Sequence, residues 1–227
     1  MKYLVYILVA VTGLFFTWNH FFDVYLVSHH SMASTLIDGD KVLVHKSGIS
    51  AIKRSGIILF KQLGGVYIKR CVGLPGEKVE IKAGKVIINN KEINTPATVL
   101  LSAKQDPAYN QIIFDYYNNN WTSDDFGPVV VPKAGWSIDL NRVNLNIYKA
   151  AIQQEQQITT AEAWDKFISI NKKYTFQQDY FFVLGDNRHH SEDSRTFGYI
   201  AQHKIIGITE RILFSYADAK RTLRKIE

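Results

Sequence analysis

Apolar and polar residues are distributed unevenly along the 227-residue chain. Residues 3–18 carry no charge, and only Thr12, Gly13 and Thr17 interrupt the apolar run. Residues 19–22, polar only at Asn19 and His20, extend it. At about 1.5 Å per residue the stretch matches the roughly 30 Å of a bilayer's hydrocarbon core. Tyr3, Tyr6, Trp18 and Tyr25 fall where interfacial aromatics belong. The pattern predicts a single membrane-spanning helix and an anchor over residues 1–25. A cleaved signal peptide is the rival, because Ser31-Met32-Ala33 is a small-x-small site after a basic start at Lys2. Against it, the apolar run exceeds the roughly 7 to 15 residues of such segments, and the site lies well beyond its end. No Lys or Arg follows Lys2 before Lys41, so the positive-inside rule places Met1 in the cytoplasm and the remainder across the cytoplasmic membrane.

Beyond the anchor, short β-type runs separated by turn signals dominate. Residues 40–44 follow an Asp38-Gly39 turn, residues 55–60 form a second run, and residues 65–74 a third, closed by Pro75-Gly76 as in a type II turn. Residues 79–81, 86–88 and 92–93 read as successive hairpins across Lys82-Ala83-Gly84 and Asn89-Asn90. Residues 95–125 are more polar and predict an irregular connection, after which 127–132 regain strand character. Between 141 and 157 the period changes, and Leu145, Tyr148, Ala151 and Ile152 share one helical face. Residues 161–170 are mixed: Thr159-x-x-Glu162 has capping-box spacing, while residues 167–170 before Asn171-Lys172 predict a strand. Residues 180–184 form a buried strand ending at Gly185-Asp186-Asn187, and 204–214 a closing strand pair or one long strand. The expected fold is mainly β: an antiparallel β-sheet domain with a small α-containing insertion and one N-terminal transmembrane helix. Its divisions are the anchor at 1–25, a first part of the core at 26–94, a secondary β region with one helix at 95–178, and a closing segment at 179–227.

Composition narrows the partners. With 46% hydrophobic and 21% charged residues the chain is globular and not disordered. Its formal net charge of +6 favours anionic surfaces, and Lys220, Arg221, Arg224 and Lys225 concentrate positive charge near the end. No nucleic-acid motif accompanies that charge, so nucleic acid is not expected as a partner and a lipid bilayer is. The single cysteine, Cys71, forms no internal disulfide.

Three segments carry candidate chemistry: Ser31-Met32-Ala33-Ser34-Thr35-Leu36, residues 67–77 with Lys69-Arg70-Cys71-Val72-Gly73-Leu74-Pro75-Gly76-Glu77, and residues 185–198 beginning Gly185-Asp186-Asn187-Arg188. They resemble, in order, the S-M-x-P-T-L, K-R-x-x-G-L-P-G-[DE] and G-D-N-R-x-x-S-x-D-S-R-x-x-G motifs of bacterial type I signal peptidases, membrane-anchored serine proteases with a Ser-Lys dyad. The resemblance covers most of residues 1–100 and 127–215. It implies a serine endopeptidase that removes signal peptides from secretory preproteins with small residues before the cut, with no cofactor and no metal. It further implies that Ser31 is the nucleophile and Lys69 the general base of a Ser-Lys catalytic core. Ser191, Asp193 and Arg195, with Arg70, would hold the lysine and brace the site.

Strand geometry supports the base independently. Tyr67, Lys69 and Cys71 project to one strand face, so Lys69 lies between largely apolar neighbours, and burial lowers an ammonium's pKa. A serine hydroxyl needs such a base to attack. Met32 is expected to touch lipid or the hydrophobic part of a substrate. Chemistry alone does not separate Ser31 from Ser28, Ser34 and Thr35. Asp186, Asn187 and Arg188 are expected to shape a turn. Two positions depart from the family's pattern. Ser34 stands where the family has proline, which predicts a less rigid turn. His29 stands where many members have Ser or Gly, so the oxyanion hole draws on either its ring N–H or the backbone alone. The histidine pairs His29-His30 and His189-His190 also permit a Ser-His-Asp hydrolase or a metal site, but no H-E-x-x-H or C-x-x-C occurs. The remaining alternative is a catalytically silent, membrane-tethered β domain that binds exported proteins.

Overall fold

The chain is described by a computed structural model over residues 2–46, 52–101 and 121–226. Helix α1 (Lys2–Phe21) is 20 residues long, and its apolar side chains are exposed, as a span facing lipid requires. Its two threonine hydroxyls are satisfied internally, Thr12 Oγ1 donating to the Leu8 carbonyl and Thr17 Oγ1 to Gly13. The helix runs directly into strand β1 (Phe22–Leu26), which pairs antiparallel with β2 (Asp40–His45) from Phe22↔His45 to Leu26↔Lys41. Residues 22–25, expected in the anchor, therefore begin the sheet, because their backbone groups find partners on β2. Tyr25 turns inward and packs against the core beneath β2.

The main sheet also contains β3 (Ile57–Gln62), β4 (Gly65–Gly73), β11 (Tyr180–Leu184), β12 (Ile200–Ala201) and the long β13 (Ile205–Ser215). Its order is β1-β2-β13-β3-β4-β11-β12, all pairs being antiparallel. The closing segment is thus one long strand, and it lies inside the sheet between β2 and β3. Its regular alternation gives way to two exposed residues at Glu210 and Arg211, where the register with β2 shifts.

A second sheet, in the order β7-β6-β5-β8, comprises β5 (Lys78–Lys82), β6 (Lys85–Ile88), β7 (Lys91–Glu92) and β8 (Phe126–Val130). Its hairpins turn at Ala83-Gly84 and Asn89-Asn90, with all four residues at positive φ, the conformation that two-residue hairpins of this hand need. The irregular connection expected over 95–125 lies partly in residues 102–120, outside the described residues. A short ladder of β9 (Ser137–Asp139) and β10 (Lys173–Thr175) carries helices α2 (Arg142–Glu155) and α3 (Ala161–Ile170).

Helix α2 presents Tyr148, Ala151 and Ile152 to the core, as its periodicity predicts. Helix α3 corrects the expectation of a strand over 167–170. Trp164, Phe167 and Ile168 recur at helical spacing and pack on the core that Tyr174 and Phe176 also enter, so tertiary burial selects the helix. The cap also differs. Thr160, not Thr159, accepts a hydrogen bond from the Ala163 N–H at 3.2 Å. Replacing Thr160 by Ala is expected to cost about 0.5–2 kcal/mol, while Thr159→Ala stays within about 0.5 kcal/mol, measurable as urea midpoints at constant slope.

Candidate active site

Ser31 lies in the turn joining β1 to β2. Ala33 N–H donates to the His30 carbonyl (2.9 Å), and the Thr35 and Leu36 N–H groups donate to the Met32 carbonyl (3.1 and 2.8 Å). Met32 and Leu36 are buried against Val42, Val44, Ile57 and Leu59, anchoring the turn from beneath. Met32, 1% exposed, is therefore a core residue and not a contact for lipid or substrate. Ser31, immediately before the first of these anchors, is partly exposed.

Strand β4 brings Lys69 to this turn. Lys69 pairs with Ile58 on β3, is 3% exposed, and places Nζ 2.5 Å from Ser31 Oγ. Nζ also stands 5.7 Å from the centroid of the Tyr67 ring, the neighbour that strand alternation predicts. Burial lowers the Lys69 pKa to about 8, against the opposing charges of Asp193, Glu192 and Asp186 that raise it. Cys71, on the same strand and fully buried, has its thiol pushed up to about 12 by burial and behaves as a small apolar residue.

The loop after β11 closes the other side. Asn187 N–H donates to the Ser31 carbonyl (3.0 Å), and its side-chain amide donates to the His30 carbonyl (3.1 Å). Gly185 is required by proximity: a Cβ there would stand 2.6 Å from the Ser31 carbonyl oxygen and 2.1 Å from Ser191 Oγ. Ser191 Oγ is buried but makes no hydrogen bond among the described residues, so the expected hydrogen bond from Lys69 is not formed. The only hydrogen-bond partner of Nζ among the described residues is Ser31 Oγ.

Two fully buried ion pairs hold the parts together. Arg70 Nε and Nη2 donate to Asp186 at 2.8 and 2.7 Å, and Nη1 donates to the Ser55 carbonyl at 2.6 Å. Asp186 also accepts a hydrogen bond from Thr35 Oγ1, tying the serine turn to the β4 strand through one carboxylate. Arg195 grips Asp193 through Nε (2.9 Å) and Nη2 (2.8 Å), while Asp193 accepts from the Gly185 N–H (3.0 Å). Burial opposes the Asp193 carboxylate, but the charge and hydrogen bonds of Arg195 prevail and hold it below the usual range. A third pair was not foreseen. Arg221 binds Asp40 at 2.8 Å and also donates to the Thr35 carbonyl at 2.8 Å, so one of the basic residues expected to face lipid is buried under the turn. Asp186 likewise does more than shape a turn, being Arg70's partner.

Ser34 has φ 69, a value closed to proline, and its hydroxyl donates to the Thr98 carbonyl. The turn thus gains a tether where greater freedom was expected. His29 is exposed at φ 81, and its ring makes no hydrogen bond among the described residues. His189 contacts the Asp124 carboxylate at 3.1 Å. Among the described residues no group of three His, Cys, Asp or Glu is arranged to hold a metal ion.

A hydroxyl within hydrogen-bond reach of a buried amine, gripped by carboxylate-braced loops, is an arrangement suited to nucleophilic acyl transfer. The family described as signal peptidase, peptidase S26, matches residues 1–214, and the chain belongs to it. A signal peptidase I of Bacillus amyloliquefaciens is 31% identical over 221 residues, covering 95% of this chain and 86% of the relative. Signal peptidase I T of Bacillus subtilis is 29% identical, covering 90% and 80% respectively. A crystal structure of a signal peptidase I from Enterococcus faecalis matches at 20% identity and TM-score 0.33, covering 69% of this chain and 95% of that one.

Removing Asp186 by substitution with Ala leaves the Arg70 guanidinium buried without its counter-charge and is expected to cost about 3–5 kcal/mol, read by chemical denaturation. Ser34→Pro is expected to destabilise the chain by more than about 1 kcal/mol, because ring closure forbids φ 69. A neutral or stabilising Ser34→Pro would contradict a positive φ at Ser34.

Proposed function

We propose that the chain is a membrane-anchored endopeptidase that cleaves signal peptides from secretory preproteins, with Ser31 as nucleophile and Lys69 as general base. The observation that carries this reading is the 2.5 Å approach of Lys69 Nζ to Ser31 Oγ on a lysine 3% exposed. At pH 7 an ordinary lysine is neutral in about 1 molecule in 3,000, whereas one with a pKa of about 8 is neutral in about 1 in 10. Burial therefore supplies the unprotonated amine that the reaction needs.

Neutral Lys69 accepts the Ser31 proton as Oγ bonds to the scissile carbonyl carbon. Collapse of the tetrahedral adduct breaks the C–N bond, and the Lys69 ammonium passes its proton to the leaving amine. The same lysine then deprotonates a water that attacks the Ser31 ester, releasing the acid and restoring the hydroxyl. The Ser31 N–H, which makes no hydrogen bond among the described residues, is available to the oxyanion. His29 stands two residues earlier and exposed, so its ring is a second candidate donor. Arg70, Asp193 and Arg195 act as supports, the arginines fixing the carboxylates that in turn fix the Gly185 loop and the serine turn. An extended substrate with small residues before the cut would lie along the chain around Ser31 and Lys69. Helix α1 would span the cytoplasmic membrane with the β domain on its outer side, next to emerging preproteins.

Cleavage of a preprotein in detergent tests the pair. Ser31→Ala and Lys69→Ala are each expected to lower the rate by roughly 10³-fold or more, and retained cleavage by either would sink the mechanism. A binding module predicts no cleavage by the wild type. In a pH profile the rate should rise with pH as the ammonium loses its proton, with half-maximum near 8. A half-rise near about 6.5 would instead indicate a histidine base.

A further inference from the structure

Alternation along β1, β2 and β13 sends Tyr25, Val42, Val44 and Ile212 into the core beneath the serine turn. The opposite face begins at Phe22, whose ring lies 4.9 Å from that of His45, its partner on β2. A cavity of about 320 Å³ opens there, at the lower end of the roughly 300–1,000 Å³ usual for ligand clefts. Phe22, Leu43 and Ile208 form its apolar floor, and His45, Glu210, Arg211 and Lys225 its polar rim. The bulge in β13 that exposes Glu210 and Arg211 together builds the rim, and the Arg211↔Lys225 bridge brings the second cation beside the first. Arg211 spends one donor on the Leu223 carbonyl (2.7 Å). Neither it, Lys225 nor Glu210 forms a salt bridge among the described residues.

The cavity's place in the chain indicates what fills it. Phe22 is the residue immediately after α1, and Lys46 fastens the helix end to this edge, donating to the Asn19 carbonyl at 2.6 Å and pairing with Asp23 at 3.8 Å. If α1 spans the bilayer, as proposed above, the cavity opens at the level of the lipid headgroups. Two cations, one carboxylate and an apolar floor match a headgroup with a phosphodiester and a free hydroxyl.

We propose that this cavity binds the headgroup of an anionic phospholipid. Arg211 and Lys225 donate to the phosphate oxygens, Glu210 accepts from a headgroup hydroxyl, and the first acyl carbons rest on Phe22, Leu43 and Ile208. The site is separate from Ser31 and Lys69, and its occupant would fix the tilt of the β domain against the membrane.

The test uses the full chain in non-ionic detergent, with thermal unfolding followed as phosphatidylglycerol, phosphatidylcholine or inorganic phosphate is added. Phosphatidylglycerol is expected to raise Tm saturably by about 3–10 °C, and phosphatidylcholine and inorganic phosphate to raise it far less. The shift should vanish in Arg211→Gln/Lys225→Gln and fall in Lys225→Glu, a change confined to an exposed side chain. Equal shifts with phosphatidylcholine, an undiminished shift in the variants, or the same saturating shift with inorganic phosphate would each overturn the proposal. Micelle titration reads the cavity whether or not α1 crosses a membrane. The anchor is tested separately, and release of the protein from membranes by alkaline carbonate would contradict it without bearing on the cavity.

Discussion

Keeping the Lys69 amine out of water while holding it against Ser31 is the constraint around which the other features arrange themselves. Depressing an ammonium from its ordinary range to about 8 corresponds to about 3 kcal/mol that folding must supply elsewhere. Strand β4 imposes that burial by position, since it lies between β3 and β11 in the sheet and is buried from Lys69 to Gly73. Three carboxylates work in the opposite direction. Asp193, Asp186 and Glu192 favour the charged amine, while the Arg195 cation favours the neutral one. Arg195 thus does two things: it neutralises Asp193 and, through it, limits how far the lysine's pKa is pulled back up.

The buried arginine–carboxylate pairs explain how loops hold a geometry that loops alone would not. A turn carrying Ser31 and a loop carrying Gly185 have few ladder hydrogen bonds, so their mutual position depends on side chains. Asp186 joins Arg70 of β4 to Thr35 of the turn, and Arg221 joins Asp40 to the Thr35 carbonyl from the far end of the chain. Each such pair costs desolvation and is a poor source of stability, but removing one partner is expensive, which makes the arrangement specific. The small residue at Gly185 is the other half of the device, because any side chain there would push the two loops apart.

Much of this was legible in the sequence where the signal was local. Turn residues at Ala83-Gly84 and Asn89-Asn90 marked the hairpins, the long uncharged apolar run marked α1, and strand alternation placed Tyr67 and Cys71 beside Lys69. What failed was non-local. Residues 167–170 look like a strand until Trp164 and Phe167 join a core that also contains the distant Val72, Val79 and Phe182, which no short window of sequence holds. Strand β1 was hidden because its apolar residues continue the helix pattern and only pairing with β2 separates them. Asp186 was read as a turn former because its partner lies 116 residues earlier, and Arg221 was read as surface charge because Asp40 lies 181 residues away. Ser34 looked like a loosened proline position, and the carbonyl that tethers it, Thr98, belongs to a stretch with no pattern of its own.

The most direct measurement is a titration of the Lys69 side-chain amine itself, by ¹⁵N NMR of lysine-labelled protein with Lys69→Ala used to assign the resonance. A single transition near pH 8 is expected for this amine. A Lys69 amine that titrates near the ordinary lysine value of about 10.4 would contradict it, because the base would then be protonated at neutral pH.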